Sequence, residues 1–259
     1  MSKPKLTSIA SVGFIVREAN PTDIFITMKD GNLIHRMFQW TLCPFGGNWV
    51  GDAAKNDGAP VDTFHRKFQS DFATKFQMRD FSEELALRLV KESDVEPADK
   101  RGISRDQGTM FVDVRKAILK KVKPWKDYLV PIGRNFLNLA PGNQHDGFLS
   151  LVSYNVAELN EEEWASLVEL QKVFGNLSRG DISWITSLEE VVSRQFHFAY
   201  GHETAMKGFW LEMGYPAARN LPSFPHLTNK PLGAPRSSYR EYLEEYDVLR
   251  HPHQEFATG

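Results

Sequence analysis

Three carboxylates and an arginine crowd the start of "RDFSEELAL", the stretch from Arg79 to Leu87. On a helix, residues three and four apart share a face, so Asp80, Glu83 and Glu84 converge. Exposed like charges placed that way repel by about a few tenths of a kcal/mol per pair. A divalent cation removes the repulsion, and Mg²⁺ takes oxygen ligands and works beside phosphates. Arg79, four residues before Glu83, relieves it too, as part of a salt-bridged face turned to solvent. The spacing alone leaves both readings standing.

Other chemistry-bearing residues are weaker. His197 and His202 in "HFAYGHE" stand five apart, which is neither H-E-x-x-H nor a same-face helical spacing, so they read as core or surface histidines. "GNLSRGD" has P-loop glycine spacing without the lysine and Ser/Thr that complete a phosphate cradle. The chain has no G-x-S-x-G elbow and no G-x-G-x-x-G fingerprint. The one cysteine, Cys43, excludes an internal disulfide and a multi-cysteine zinc site. It precedes a proline at a strand end and reads as packing. "RKAILKKVKPWK", with Trp125 among its lysines, could meet phosphates. The exposed face of an amphipathic helix is the preferred reading, because the whole chain carries a net charge of only -2.

Positioning such residues requires a scaffold. "SIASVGFIVRE" and "DIFITMKDGN" predict two strands joined by the turn "NPTD". "MFQWTLCPFGG" predicts a third, ended by Pro44 and the Gly46–Gly47 pair. A helix is expected from Pro60, with Asp62 in its first turn. Phe64, Phe68, Phe72 and Phe76 recur every four residues, the mark of a buried helical face. That register drifts at Phe81, so a kink is expected near Gln77–Arg79. Residues 93 to 109 read as a loop. "FVDVRKAILKKV" follows as a helix stopped by Pro124, and "GFLSLVSYNVAEL" as a strand. "NEEEWASLVELQKVF" reads as an amphipathic helix capped by Asn160 and followed by Gly175. "DISWITSLEEVV" predicts a strand and a helix, residues 203–213 a further helix, and "SSYREYLEEYDVL" a last one on a proline-rich tail.

With those elements in place, "RDFSEELAL" resembles the Nudix hydrolase box, whose core is R-E-U-x-E-E-x-G-U with U apolar. Arg79 fits the arginine, Asp80 stands for the first glutamate, and Glu83 and Glu84 match the paired glutamates. Phe81 and Leu87 take apolar positions, and Ala86 replaces the glycine. Asp71, eight residues before Arg79 (79 − 71), carries a carboxylate where the box has its earlier glutamate. "TLCPFGG" resembles the strand that precedes the box, and "SWITSLEEVV" a segment that commonly follows it.

The resemblance implies a Nudix-like α/β/α sandwich with a mixed sheet over 1–215, a helical insertion at about 88–145, and a C-terminal extension over 216–259. It further implies hydrolysis of a nucleoside-diphosphate-linked substrate, with Mg²⁺ or Mn²⁺ held by Asp80, Glu83, Glu84 and Asp71. Arg79 would orient a carboxylate, and Arg79, Glu83 and Glu84 would form the catalytic set. Gly47 lies 32 residues before Arg79 (79 − 47), well beyond the family's spacing, so this register needs an insertion there. A second register sets Arg66–Asp71 in the box. Lys67 and Ser70 then replace metal-binding glutamates, Asp71 stands alone, and the chain becomes a catalytically silent module that binds a nucleotide or a protein. The first register keeps more carboxylates and is preferred on that ground. Glu158 and Glu161 to Glu163 offer a general base, although acids at a helix start read more simply as caps.

At 41% hydrophobic and 25% charged, 259 residues suit a globular chain with a large core. The near-neutral charge argues against nucleic acid as a partner. No stretch has the apolar length of a membrane span or a signal peptide core. The expectation is a cytoplasmic protein, with a homo-oligomer left open.

Overall fold

The computed structural model describes residues 3–30, 38–49, 57–73, 105–131, 149–224 and 229–248. The first two strands are β1 (Lys5–Arg17) and β2 (Asn20–Met28). The predicted third strand is divided at Pro44 into β3 (Leu42–Cys43) and β4 (Phe45–Asn48). Helix α1 (Pro60–Asp71) follows, then α2 (Arg105–Lys121), β5 (Lys123–Pro131), β6 (Leu149–Leu159) and α3 (Glu161–Phe174). The chain continues through β7 (Ile182–Ser187), α4 (Leu188–Ser193), α5 (His202–Glu212), β8 (Lys230–Gly233), α6 (Tyr239–Glu245) and β9 (Asp247–Val248).

Among the described residues all nine strands join one mixed sheet around β1. Its apolar run is buried along almost its whole length, as expected of a strand covered on both faces. One edge of β1 pairs in parallel with β6, from Leu6↔Leu149 to Arg17↔Leu159. The other edge serves three partners in turn: β9 at Lys5 and Leu6, β4 at Ala10 to Gly13, and β2 at Ile15 to Arg17. Strand β2 leaves β1 beyond that point and takes β3 on the same side, with β7 on its far side. Residues 42–48 therefore fill a fork between β1 and β2. Pro44, which has no N–H to donate to a ladder, stands where the chain changes partners. On the opposite side, β6 pairs antiparallel with β5, and β5 with β8.

Alternate residues of the strands face opposite layers. Phe14, Val16, Ile24 and Ile26 meet Leu188 and Val191 of α4 and Met206, Phe209 and Trp210 of α5. Ile15 and Phe25 meet Phe64 and Phe68 of α1, Val114 and Ile118 of α2, and Leu167 and Leu170 of α3. Helices thus cover both faces of an α/β domain. The phenylalanine ladder holds through Phe72, just past the end of α1. Phe64, Phe68, Phe72 and Phe111 stack in series at 5.6, 5.0 and 4.9 Å. Phe76 lies outside the described residues.

Local signals place the helix ends. Asp62 accepts from the N–H groups of Gly58 and Ala59 at 3.0 and 2.9 Å. Asn160 and Glu163 of α3 bond each other's backbone N–H, and Gly175 closes that helix at φ +72°. Helix α2 starts earlier than its glycines predict, with Gly108 inside it. Residues 105–131, within the segment expected to be an insertion, supply one helix of the second layer and a sheet strand. The basic stretch on them is engaged: Lys121 pairs with Glu163, Lys126 with Glu212, and Arg115 is buried. Within 216–259, β8, α6 and β9 are docked, and Tyr239 and Tyr242 are packed against Leu6, Ile9 and Leu151.

Two glycines set how closely the layers meet. A Cβ on Gly13 would lie 2.4 Å from the Phe64 ring, so α1 could not sit down on β1. Gly46 has φ +137°, and a Cβ there would stand 2.2 Å from the Ser11 carbonyl oxygen. Gly46→Ala combines backbone strain with a backbone clash. It is expected to cost about 3 kcal/mol or more, read as a lowered urea midpoint with an unchanged m-value.

Candidate functional site

The glycine pair of β4 and the second half of α1 form one face. Lys67 lies across Gly47: a Cβ on that glycine would be 3.0 Å from Lys67 Cε. The absent side chain is what admits the lysine. Its neighbour Arg66 turns to the loop before α1 and bonds Asp57 at 2.5 to 3.0 Å. The Asp57 carboxylate is almost completely buried by that contact. Lys67 makes no ion pair with a described residue.

Asp71 ends α1. Its carbonyl oxygen accepts from the Arg179 N–H at 2.9 Å, which ties α1 to the chain entering β7. Burial pushes the Asp71 carboxyl above its ordinary range; Lys67 acts in the opposite direction, and Asp181 and Lys29 also lie in its surroundings. Those two form their own pair, Lys29 Nζ to Asp181 Oδ2 at 2.7 Å, joining the end of β2 to the start of β7. Burial works against the Lys29 charge, but the Cys43 sulfur once ionised and the facing Asp181 outweigh it and hold the ammonium above its usual range. Burial pushes the Cys43 thiol up to about 11, so at neutral pH it is an inert thiol in the packing.

Of the residues singled out in the box, Arg79, Asp80, Glu83 and Glu84 lie outside the described residues. Asp71 is described and stands beside Lys67. Among the described residues no group of three or more His, Cys, Asp or Glu is arranged to hold a metal. The Arg66–Asp71 segment does not fit Mg²⁺: it offers one desolvated carboxyl, a serine and a cation, whereas the ion needs several oxygen ligands. Two of the acids at the start of α3 have structural partners. Glu161 takes Arg17 at 2.5 and 2.8 Å, and Glu163 caps its own helix.

No protein-family model matches the chain, and no curated protein matches it significantly. Among the described residues no helix is long and apolar enough to cross a membrane.

A second polar cluster lies on the other side of the sheet. The Tyr154 hydroxyl of β6 and His202 Nδ1 of α5 are 2.7 Å apart, both groups buried. Burial drives His202 down to about 3, so it is neutral at physiological pH. Glu203, also in the surroundings of Tyr154, is 3% exposed, and its Oε2 has no hydrogen-bond partner. Burial raises its carboxyl to about 7, against weaker stabilisation by backbone N–H groups. Asn229 donates to the Gly201 carbonyl at 2.6 Å, while its Oδ1 is unpartnered. The sequence showed His202 but not this assembly, whose members stand on three separated segments. His197 does not join it; its ring lies 4.8 Å from that of Phe224.

Proposed function

We propose that the chain is a catalytically silent, Nudix-like module that binds a nucleotide through its phosphates without hydrolysing them. One observation carries the reading: Lys67 of α1 lies across Gly47, next to the only carboxylate that the Arg66–Asp71 register retains. In a box-type site a divalent ion neutralises the phosphate oxygens and activates water. A lysine in that place can do the first task, as a compact ammonium donor to phosphate. It cannot do the second, because it binds no water as a Lewis acid. Ser70 in place of a carboxylate removes a metal ligand as well. The phosphates would lie against Gly46–Gly47 and Lys67, with Arg66 already engaged by Asp57.

Binding of nucleoside diphosphates, followed by isothermal titration calorimetry, tests this. Affinity is expected to persist in excess EDTA and to fall about tenfold to a hundredfold in Lys67→Ala, the loss of one charged hydrogen bond. Mg²⁺-dependent release of phosphate or nucleoside monophosphate, lost in Glu83→Gln and Glu84→Gln, would overturn it. That outcome would restore the hydrolase reading on Arg79, Asp80, Glu83, Glu84 and Asp71.

A further inference from the structure

Trp40 stands where neither packing nor backbone preference favours a tryptophan. Trp40 is 58% exposed, the most exposed of the large hydrophobic residues among those described, and its φ is +60°. Left-handed backbone is costly for a bulky residue and persists only where the surroundings fix it. Here they do. The Trp40 N–H donates to the Lys29 carbonyl at 2.9 Å, and the Thr41 N–H and hydroxyl both donate to the Phe38 carbonyl, at 3.3 and 2.6 Å. Phe38 is fully buried, with Tyr200 4.5 Å away and Phe224 edge-on at 5.8 Å. Tyr200 itself has φ +53°. The turn is thus anchored on both sides of an indole that faces solvent.

The same turn borders the face described above. Trp40 is bonded through its backbone to Lys29, Lys29 is paired with Asp181, and two residues before Asp181 the Arg179 N–H donates to the carbonyl of Asp71, which shares α1 with Lys67. Trp40 and Lys67 therefore stand at two ends of one run of neighbours. An exposed aromatic ring on a fixed turn, joined by that run of contacts to the helix that carries Lys67, has the makings of a nucleotide site: every base offers a π-face, and stacking on an aromatic ring tolerates any base.

We propose that Trp40 is the platform on which the base of the bound nucleotide stacks. The inference rests on the phosphate-binding reading of Lys67 and adds the base to it. An indole selects for an aromatic ring in the ligand, so the ligand class is a nucleoside diphosphate and not a bare polyphosphate. Because the turn is fixed in advance, little ordering accompanies stacking.

The test compares adenosine diphosphate with inorganic pyrophosphate, which has the phosphates and no base. Calorimetric affinities are measured for the wild type, Trp40→Ala, Trp40→Phe and Lys67→Ala, with tryptophan emission followed in parallel. Trp40→Ala should weaken adenosine diphosphate binding by about tenfold and leave pyrophosphate unchanged. Trp40→Phe should retain most of the affinity but lose the nucleotide-induced change in emission. Lys67→Ala should weaken both ligands. Unchanged adenosine diphosphate affinity in Trp40→Ala, with the Lys67 dependence intact, would overturn the platform and leave the phosphate site standing. A wild type that binds neither ligand would overturn both.

Discussion

Replacing Glu203 by Gln is expected to stabilise the protein at pH 8 by about 2–3 kcal/mol and to leave it nearly unchanged at pH 4. The Glu203 carboxyl is 3% exposed, has an unpartnered oxygen and titrates near 7 in the folded protein, against an ordinary 4.5. Below pH 4.5 it is protonated in both folded and unfolded chains and contributes no slope. Between 4.5 and about 7 the folded chain keeps a proton that the unfolded chain has released, so stability falls as pH rises. Above 7 the full penalty is present, and Gln, which has no charge to bury, removes it.

His202 works in the opposite sense. It titrates near 6.5 when unfolded and about 3 when folded. The unfolded chain therefore gains a proton first as pH drops below 6.5, and stability falls toward acid. Between 4.5 and 6.5 the two slopes oppose each other. The wild type should show a plateau there, declining to pH 7 on one side and to pH 3 on the other. In Glu203→Gln the alkaline decline disappears and the acidic one stays. For a chain of this length the alkaline gain corresponds to about 5–10 °C in Tm. A melting-temperature series from pH 4 to 9 reads it, and a variant whose Tm parallels the wild type across that range rejects a buried, chargeable Glu203.

Local signals in the sequence were enough for several elements and for none of the long-range pairings. Helix α1 was legible because Pro60, Asp62 and the phenylalanines sit within one short stretch. The same holds for α3, where Asn160, Glu163 and Gly175 mark both ends. Pro44 marks a stop in the third strand, but nothing local shows that a new strand resumes directly after it on another partner. What decides it is that Leu42–Cys43 pairs with β2 and Phe45–Asn48 with β1, a choice made by distant residues. Pro124 stops a helix as its chemistry predicts, yet it also lies in β5, opposite Asn155 of β6. Candidate chemistry was legible in the same uneven way. Spacing along the chain offered two registers for the box and preferred the one richer in carboxylates. That α1 lies on Gly47 is a matter of packing, set by how the Phe64 and Phe68 face seats the helix. Lys29, Asp181 and Trp40 carried no motif at all; only the meeting of β2, β7 and the turn before β3 gives them a common place.

The tail expected to be an extension is also fastened by chemistry that spacing does not reveal, and Tyr242→Phe is expected to cost about 2–4 kcal/mol. Tyr242 is 1% exposed and donates its hydroxyl to Asp127 Oδ2 of β5 at 2.6 Å. The Tyr242 hydroxyl oxygen in turn accepts from the Arg236 N–H at 2.9 Å. Asp127 is 1% exposed, and its other oxygen has no partner. Burial pushes its carboxyl up, against the pull of the Tyr242 hydroxyl. Phenylalanine keeps the ring and its packing on Leu6, Ile9 and Leu151 but strips Asp127 of that donor and Arg236 of its acceptor. The buried Asp127 carboxyl and the part-buried Arg236 N–H each lose a partner, a larger effect than the bond itself is worth. Converting Asp127 as well, in Asp127→Leu/Tyr242→Phe, removes the stranded carboxyl and should recover most of the loss, whereas independent sites would add. Trp49, stacked on Tyr239 at 4.3 Å, reports on the tail by its emission. If α6 is held through Asp127, Tyr242→Phe should red-shift Trp49 at urea concentrations below the global transition, and Trp49→Phe should abolish that early change. A cost under about 0.5 kcal/mol, or additivity in the double variant, would mean that the tail is held by its apolar contacts alone.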